Sequence, residues 1–192
     1  MSEIDDDKRR FLIGATSTVG GIGAVAVAVP FLKSWAPSAR AEAAGAPVSV
    51  DISKLQPGER LTIEWRGKPV WIVRRTKEVL SAIDAGDDKV SDPNSEKPMQ
   101  PAYAANKYRS IDPEFLVLIG LCTHLGCVPT YQPEVEAGAG QFYCPCHGSI
   151  FDLAGRVYKS KPAPVNLEVP PYHFIANSNN TKLIIGLDGE AA

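Results

Sequence analysis

The chain has no surplus of positive charge. Its 20 Lys and Arg against 22 Asp and Glu leave a formal net charge of −2 at pH 7 and a pI near 5.9. That excludes the broadly basic face needed to hold a nucleic-acid backbone without sequence preference, and no nucleic-acid partner is expected. Cysteine and histidine are also scarce, with four Cys and three His in 192 residues. Any centre built from them must use nearly all of them. There is no internal repeat beyond two short Cys/His loops, and one long uncharged run. This length points to one domain plus an accessory segment.

The uncharged run is Phe11 to Leu32, FLIGATSTVGGIGAVAVAVPFL. As a helix it would reach roughly 33 Å, against roughly 30 Å for a hydrocarbon core. Ala39-Arg-Ala41 and Ala44-Gly-Ala46 resemble signal cleavage sites, but a signal's apolar region is usually only about 7–15 residues. An uncleaved transmembrane anchor is therefore expected over 11–32. Gly14, Gly20, Gly21 and Gly23 are compatible with membrane helices, where they permit close packing. Lys8, Arg9 and Arg10 immediately precede the span, which places residues 1–10 in the cytoplasm. Everything after the span would then lie across the membrane, for a bacterium in the oxidising periplasm.

Residues 33–47, KSWAPSARAEAAGAP, cannot build a core and read as a hinge or linker. Trp35 suits a membrane interface, and equally a packed surface. The remainder, 48–192, is mostly β in pattern. Leu61, Ile63 and Trp65 alternate with polar residues, and Val70 to Val73 is a buried-type run. Thr76 can cap a short helix over Glu78 to Ile83. Phe115–Ile119 and Gln141–Tyr143 are strands leading directly into the two Cys/His loops. His173–Ala176 and Lys182–Gly186 read as a terminal hairpin around Asn177–Asn180. Residues 84–110 have no clean period and are expected as an ordered surface excursion without chemistry. His173 reads as a satisfied structural histidine.

The loops are Cys122-Thr-His124-Leu-Gly-Cys127 and Cys144-Pro-Cys146-His147-Gly-Ser149. They contain every Cys and all but one His. Three chemistries can be drawn from them. A closed zinc site would take two Cys and two His and leave two Cys without a role. Two disulfides would employ all four Cys but give no reason for a His in each loop. A [2Fe–2S] centre with two Cys on one iron and two His on the other would employ both residue types. Gly126 and Gly148 suit loops whose backbone N–H groups approach sulfide closely.

The paired motifs C-T-H-L-G-C and C-P-C-H-G-S resemble those of Rieske iron–sulfur proteins. The anchor, the Ala-rich hinge, Pro162-Ala-Pro164 and the following NLEVP resemble the Rieske subunit of ubiquinol–cytochrome c oxidoreductase over essentially the whole chain. The resemblance implies a Rieske-type antiparallel β-sandwich with an inserted cluster-binding subdomain at about 120–164. It implies one [2Fe–2S] cluster held by Cys122 and Cys144 on the inner iron and by His124 and His147 on the outer. It further implies a Cys127–Cys146 disulfide, His147 facing quinol, Leu125 at the docking surface, and Pro162 and Pro164 shielding the cluster. Such a subunit oxidises ubiquinol on cytochrome b, passes the electron to cytochrome c1 with proton release, and belongs to a dimeric complex of the bacterial inner membrane.

Three positions depart from the family. Phe151 stands where many relatives carry a Tyr that donates to a ligand thiolate. Together with the donor Ser149 it bears on the tuning of the cluster. Lys161 stands where a glycine often precedes Pro162. In the twin-arginine export signal common to bacterial relatives, the pair falls here on Lys8-Arg9; such export is still expected, since the cluster needs cytoplasmic assembly. Two other functions share parts of this pattern: the Rieske subunit of a periplasmic molybdenum oxidase such as arsenite oxidase, and a zinc-stabilised interaction domain. A ring-hydroxylating oxygenase is disfavoured by the extra Cys pair and the lack of a catalytic domain.

Overall fold

Apolar periodicity and turn chemistry produce two units, Met1–Ala43 and Ala44–Ala192, in a computed structural model that describes residues 5–134 and 140–187. Residues 1–4 of the expected tail lie outside the described residues. Helix α1 spans Asp6–Ser34, longer at both ends than the uncharged run. Asp5 caps it by accepting from the Lys8 N–H at 3.3 Å, and Asp6 and Asp7 complement the positive end of the helix dipole. At roughly 43 Å it is long and apolar enough to cross a bilayer. The Thr16 and Thr18 hydroxyls donate to Leu12 O at 2.7 Å and Gly14 O at 2.9 Å. Their polarity is thus satisfied within the helix, as hydrocarbon requires. The stretch read as a linker is partly ordered: Ala39–Gly45 forms helix α2. Ser38 Oγ accepts from the Ala41 N–H at 3.2 Å, and alanine favours the helix intrinsically.

Among its described residues the second unit contains nine short strands in three antiparallel three-stranded sheets. Strand β1 (Val48–Asp51) pairs with β9 (Lys182–Ile185), which pairs with β8 (Tyr172–Phe174). The expected terminal hairpin forms, and β1 closes its other edge. The second sheet is β2 (Arg60–Trp65), β3 (Lys68–Arg74) and β4 (Phe115–Ile119). All five residues of β4 are buried. The third sheet is β5 (Thr130–Gln132), β6 (Gln141–Cys144) and β7 (Ser149–Phe151). One apolar core joins all three, with Val70, Leu116, Leu118, Phe142, Phe151, Leu167, Leu183 and Ile185 fully buried. The short helix α3 (Lys77–Asp84) begins at Thr76, whose hydroxyl accepts from the Val79 N–H at 3.3 Å.

Residues 84–110 are not a surface excursion throughout. Val90, Asp92, Ser95, Ala104, Arg109 and Ser110 are buried, because the turn at 152–156 requires cations around it. Arg75 donates to Leu153 O, Tyr108 O, Pro113 O and Ser110 Oγ. Arg109 reaches the carbonyls of Ala154 and Gly155. Arg156 pairs with Asp152 at 2.7 Å and Asp87 at 2.6 Å, and donates to Ile83 O at the end of α3. Asp152 also accepts the backbone N–H groups of Ala154 and Arg156. Burial pulls the Arg75 and Arg109 guanidiniums down to about 10, which still leaves both charged near neutral pH. The turn that follows β7 is thereby bolted to β3, to α3 and to the segment before β4. His173, expected to be satisfied, is not: its Nδ1 is buried without a hydrogen-bond partner among the described residues, on a strand opposite Ile184.

Arg156→Met leaves Asp152 buried beside apolar atoms with its guanidinium partner gone. Chemical denaturation of the detergent-solubilised full-length chain should show a loss of about 3–5 kcal/mol.

Candidate metal centre

Both Cys/His loops close in the same way. In the first, which leaves β4 and leads to β5, the Gly126 N–H donates to Cys122 O at 2.9 Å. In the second, the tip of the β6–β7 hairpin, the Gly148 N–H donates to Cys144 O at 3.0 Å. Each is a Cys-x-x-x-Gly turn ending on a glycine with positive φ, +81° at Gly126 and +76° at Gly148. Both glycines meet a local requirement of the backbone. Their N–H groups close the turns on a carbonyl, and it is the left-handed backbone that demands Gly. The first loop is closed again by the Cys122 N–H donating to Cys127 O at 2.7 Å.

The turns bring together the residues singled out in the sequence. Cys122 and Cys144 are free thiols, each 2% exposed, at the roots of the loops. Burial pushes the Cys144 thiol above its ordinary value, and the adjacent Cys122 pushes it further. The His124 and His147 rings meet edge to face with centroids 4.8 Å apart; His124 is half-buried and His147 exposed. Cys127 and Cys146 form a disulfide with Cα atoms 6.7 Å apart, tying loop to loop. The Sγ atoms of Cys127, Cys144 and Cys146 lie within 4.8 Å of one another. By distance alone that trio resembles a thiolate site, but the disulfide consumes two of its members and removes them as ligands.

A third segment covers the pair of loops. Thr123 Oγ1, which the sequence reading did not single out, donates to Val165 O at 2.6 Å. The fully buried Ser149 Oγ accepts from the Ala163 N–H at 3.1 Å, leaving its own hydrogen free to donate elsewhere. The segment around Pro162 and Pro164 is thus fastened to both loops, with both prolines exposed on its outer side. Lys161 is exposed as well. Leu125 is 71% exposed, which excludes core packing, and Val128 beside it is 54% exposed. Phe151 is fully buried on β7, opposite Phe142.

The donor set fits an iron–sulfur cluster on the structure's own terms. Two buried thiols face inward and two imidazoles lie nearer the surface. The Nδ1 atom of His124 is buried with no hydrogen-bond partner among the described residues, as a nitrogen reserved for a metal would be. The two-disulfide chemistry fails here, because Cys122 and Cys144 are unpaired.

Residues 93–172 match the family model "Rieske [2Fe-2S] domain". A protein of Allochromatium vinosum, described as a ubiquinol-cytochrome c reductase iron-sulfur subunit, is 54% identical over 191 residues, covering 96% of this chain and 91% of that one. The chain belongs to the Rieske iron–sulfur subunits. A protein of Blastochloris viridis with the same description is 43% identical, over 93% of this chain and 92% of its own. The solved hyperthermophilic respiratory Complex III contains a chain 29% identical, covering 91% of this one and 98% of that one at a TM-score of 0.48. Residues 1–38 match the model "Ubiquitinol-cytochrome C reductase Fe-S subunit TAT signal". That match and the apolar α1 fit an exported, membrane-anchored Rieske subunit. The cofactor of the domain is a [2Fe–2S] cluster, which sets aside the zinc reading.

The disulfide closes a loop with a sequence separation of 19, a constraint worth about 3 kcal/mol. Cys127→Ser or Cys146→Ser should loosen the two turns and make the cluster labile. Iron and acid-labile sulfide per chain, followed over hours in air, should fall faster than in the wild type; equal retention would count against the disulfide as the fastener.

Proposed function

We propose that the chain is the Rieske subunit of a cytochrome bc complex, taking one electron from ubiquinol at cytochrome b and delivering it to cytochrome c1. The observation that carries this reading is the juxtaposition of two buried thiols and two imidazoles on disulfide-joined turns, in a chain 54% identical to a ubiquinol-cytochrome c reductase iron-sulfur subunit. Relatives of that description favour the quinol complex over a molybdenum oxidase.

Cys122 and Cys144 would hold the inner iron, and His124 and His147 the outer. When bound, the cluster supplies a one-electron acceptor whose potential is raised because two neutral imidazoles replace two thiolates. His147, exposed at the tip, would meet the quinol hydroxyl and accept its proton at the ring nitrogen left free of metal. Added negative charge nearby raises an imidazole's affinity for that proton, so electron and proton arrival support each other. The exposed Leu125 would seat the head against its partners, and Val128 extends that apolar tip. Pro162 and Pro164, fastened through Thr123 and Ser149, would keep water from the buried thiolate side. Lys8, Arg9 and Arg10 favour a cytoplasmic N-terminus, with α1 in the bacterial inner membrane and the head in the periplasm. The parent complex would be dimeric.

Low-temperature EPR of ascorbate-reduced native membranes, with and without a quinol-site inhibitor, tests this function. A Rieske signal that shifts with inhibitor is expected; one indifferent to it would reassign the electron donor.

The tuning residues give a second expectation. A donor to sulfur stabilises the electron-rich state, and about 1 kcal/mol of such preference corresponds to roughly 40 mV for one electron. Ser149→Ala should lower the midpoint potential by about that amount and Phe151→Tyr should raise it. Redox titration of both variants measures the two shifts.

A further inference from the structure

Trp71 lies on β3, outside both ligand loops, yet its indole abuts the root of each. Gly120 follows β4 and stands two residues before Cys122. A Cβ at Gly120 would overlap Trp71 Cε2 and lie 2.7 Å from both Cζ2 and Nε1. Gly120 is held there by its N–H, which donates to Pro69 O at 2.8 Å. Its φ is not in the left-handed region, so this glycine is required by the ring and not by the backbone. At the second loop, Phe142 stands two residues before Cys144, and its ring stacks on Trp71 with centroids 5.1 Å apart and planes 21° apart. Phe142 belongs to the third sheet and Trp71 to the second, so the indole bridges two sheets that share no strand pairing. Tyr131 on β5 packs against Phe142 at 5.6 Å, and the Arg60 guanidinium of β2 sits 4.9 Å from the Trp71 centroid and 5.4 Å from that of Tyr131. Trp71 itself is 1% exposed.

We propose that Trp71 is the positioning residue that sets the separation of the Cys122 and Cys144 thiolates, acting as a spacer between the roots of the two ligand loops. The inference rests on the ligand assignment proposed above. The disulfide fastens the loops at their tips, and the indole holds them apart at their bases. Close packing makes such a spacer stiff: a ring wedged between a Cα without a side chain and a stacked aromatic has no room to shift toward either. A wider or narrower wedge therefore strains or slackens both thiolates together.

The test uses the full-length chain in membranes with its partner subunits, and a swap of bulk between Gly120 and Trp71. Gly120→Ala should drive the indole out of place, broaden the EPR signal of the reduced cluster, and cut acid-labile sulfide per chain by about tenfold. Trp71→Phe keeps the stack on Phe142 and is narrower; it should fold and carry a cluster with altered line shape and midpoint potential. Combining the two should recover most of the sulfide lost in Gly120→Ala, because the added methyl enters the space that the narrower ring frees. A Trp71→Phe variant with unchanged line shape would overturn the proposal, even where Gly120→Ala fails to accumulate. So would a double variant no better than Gly120→Ala alone, since the methyl and the ring would then not be competing for one space. A wild-type chain without any Rieske signal would instead refute the ligand assignment, a failure distinguishable from these.

Discussion

Everything at the tip of the head depends on two backbone hydrogen bonds, Gly126 N–H to Cys122 O and Gly148 N–H to Cys144 O. Each closes a five-residue turn that places a buried thiol at the start and an imidazole near the surface two or three residues later. The turns alone are short and local, with nothing in them to fix one against the other. Their mutual placement comes from three separate ties: the Cys127–Cys146 disulfide, the Pro162 segment fastened to Thr123 and Ser149, and the aromatic packing beneath.

These ties differ in kind, and the difference bears on function. The disulfide and the Pro segment act near the surface, where Cys146, Pro162 and Pro164 are exposed. The arginine cage around 152–156 acts in the interior, with guanidiniums spread over peptide carbonyls and one buried Asp152. Buried cations without tight neutralisation are costly, and they persist only where many acceptors converge. Here the acceptors include the Leu153 and Ala154 carbonyls, which no strand pairs, and Gly155 O, which also accepts the Leu167 N–H at 2.8 Å. The third sheet, which carries the Cys144 loop, is thereby joined to the rest of the head by polar as well as apolar contacts. A redox centre whose potential depends on hydrogen bonds to sulfur benefits from such a rigid mount.

Much of this was legible from the residues. Period-two alternation at Leu61, Ile63 and Trp65 announced β2, and Thr76 before an apolar-polar run announced α3 with its cap. The uncharged run announced α1, though not the extra turns that Asp5 and its acidic neighbours support. Strands β1, β5 and β7 leave no pattern in the sequence, because three or four residues carry too little period to register; their partners define them. The hinge read from composition contains a short helix, since alanine-rich sequence is compatible with both states and a serine cap decides between them. The excursion at 84–110 looked like surface because its polar residues have no periodicity. Its burial follows from Arg75, Arg109 and Arg156, whose acceptors are scattered along the chain and leave no local pattern.

By itself the sequence determined the chemistry available: four Cys and three His, all but one of them in two matched loops, downstream of a segment able to cross a membrane. Spacing of this sort is local, and local patterns survive in one dimension. Only the tertiary structure decided which sulfurs are joined and which stay free, and that His147 is exposed while His124 Nδ1 is buried without a partner among the described residues. It also decided that Leu125 points to solvent and that Trp71, distant in sequence from both Cys/His loops, lies against the roots of both. The reason is that those facts depend on packing between segments distant in sequence, where close contact is set by volume and shape.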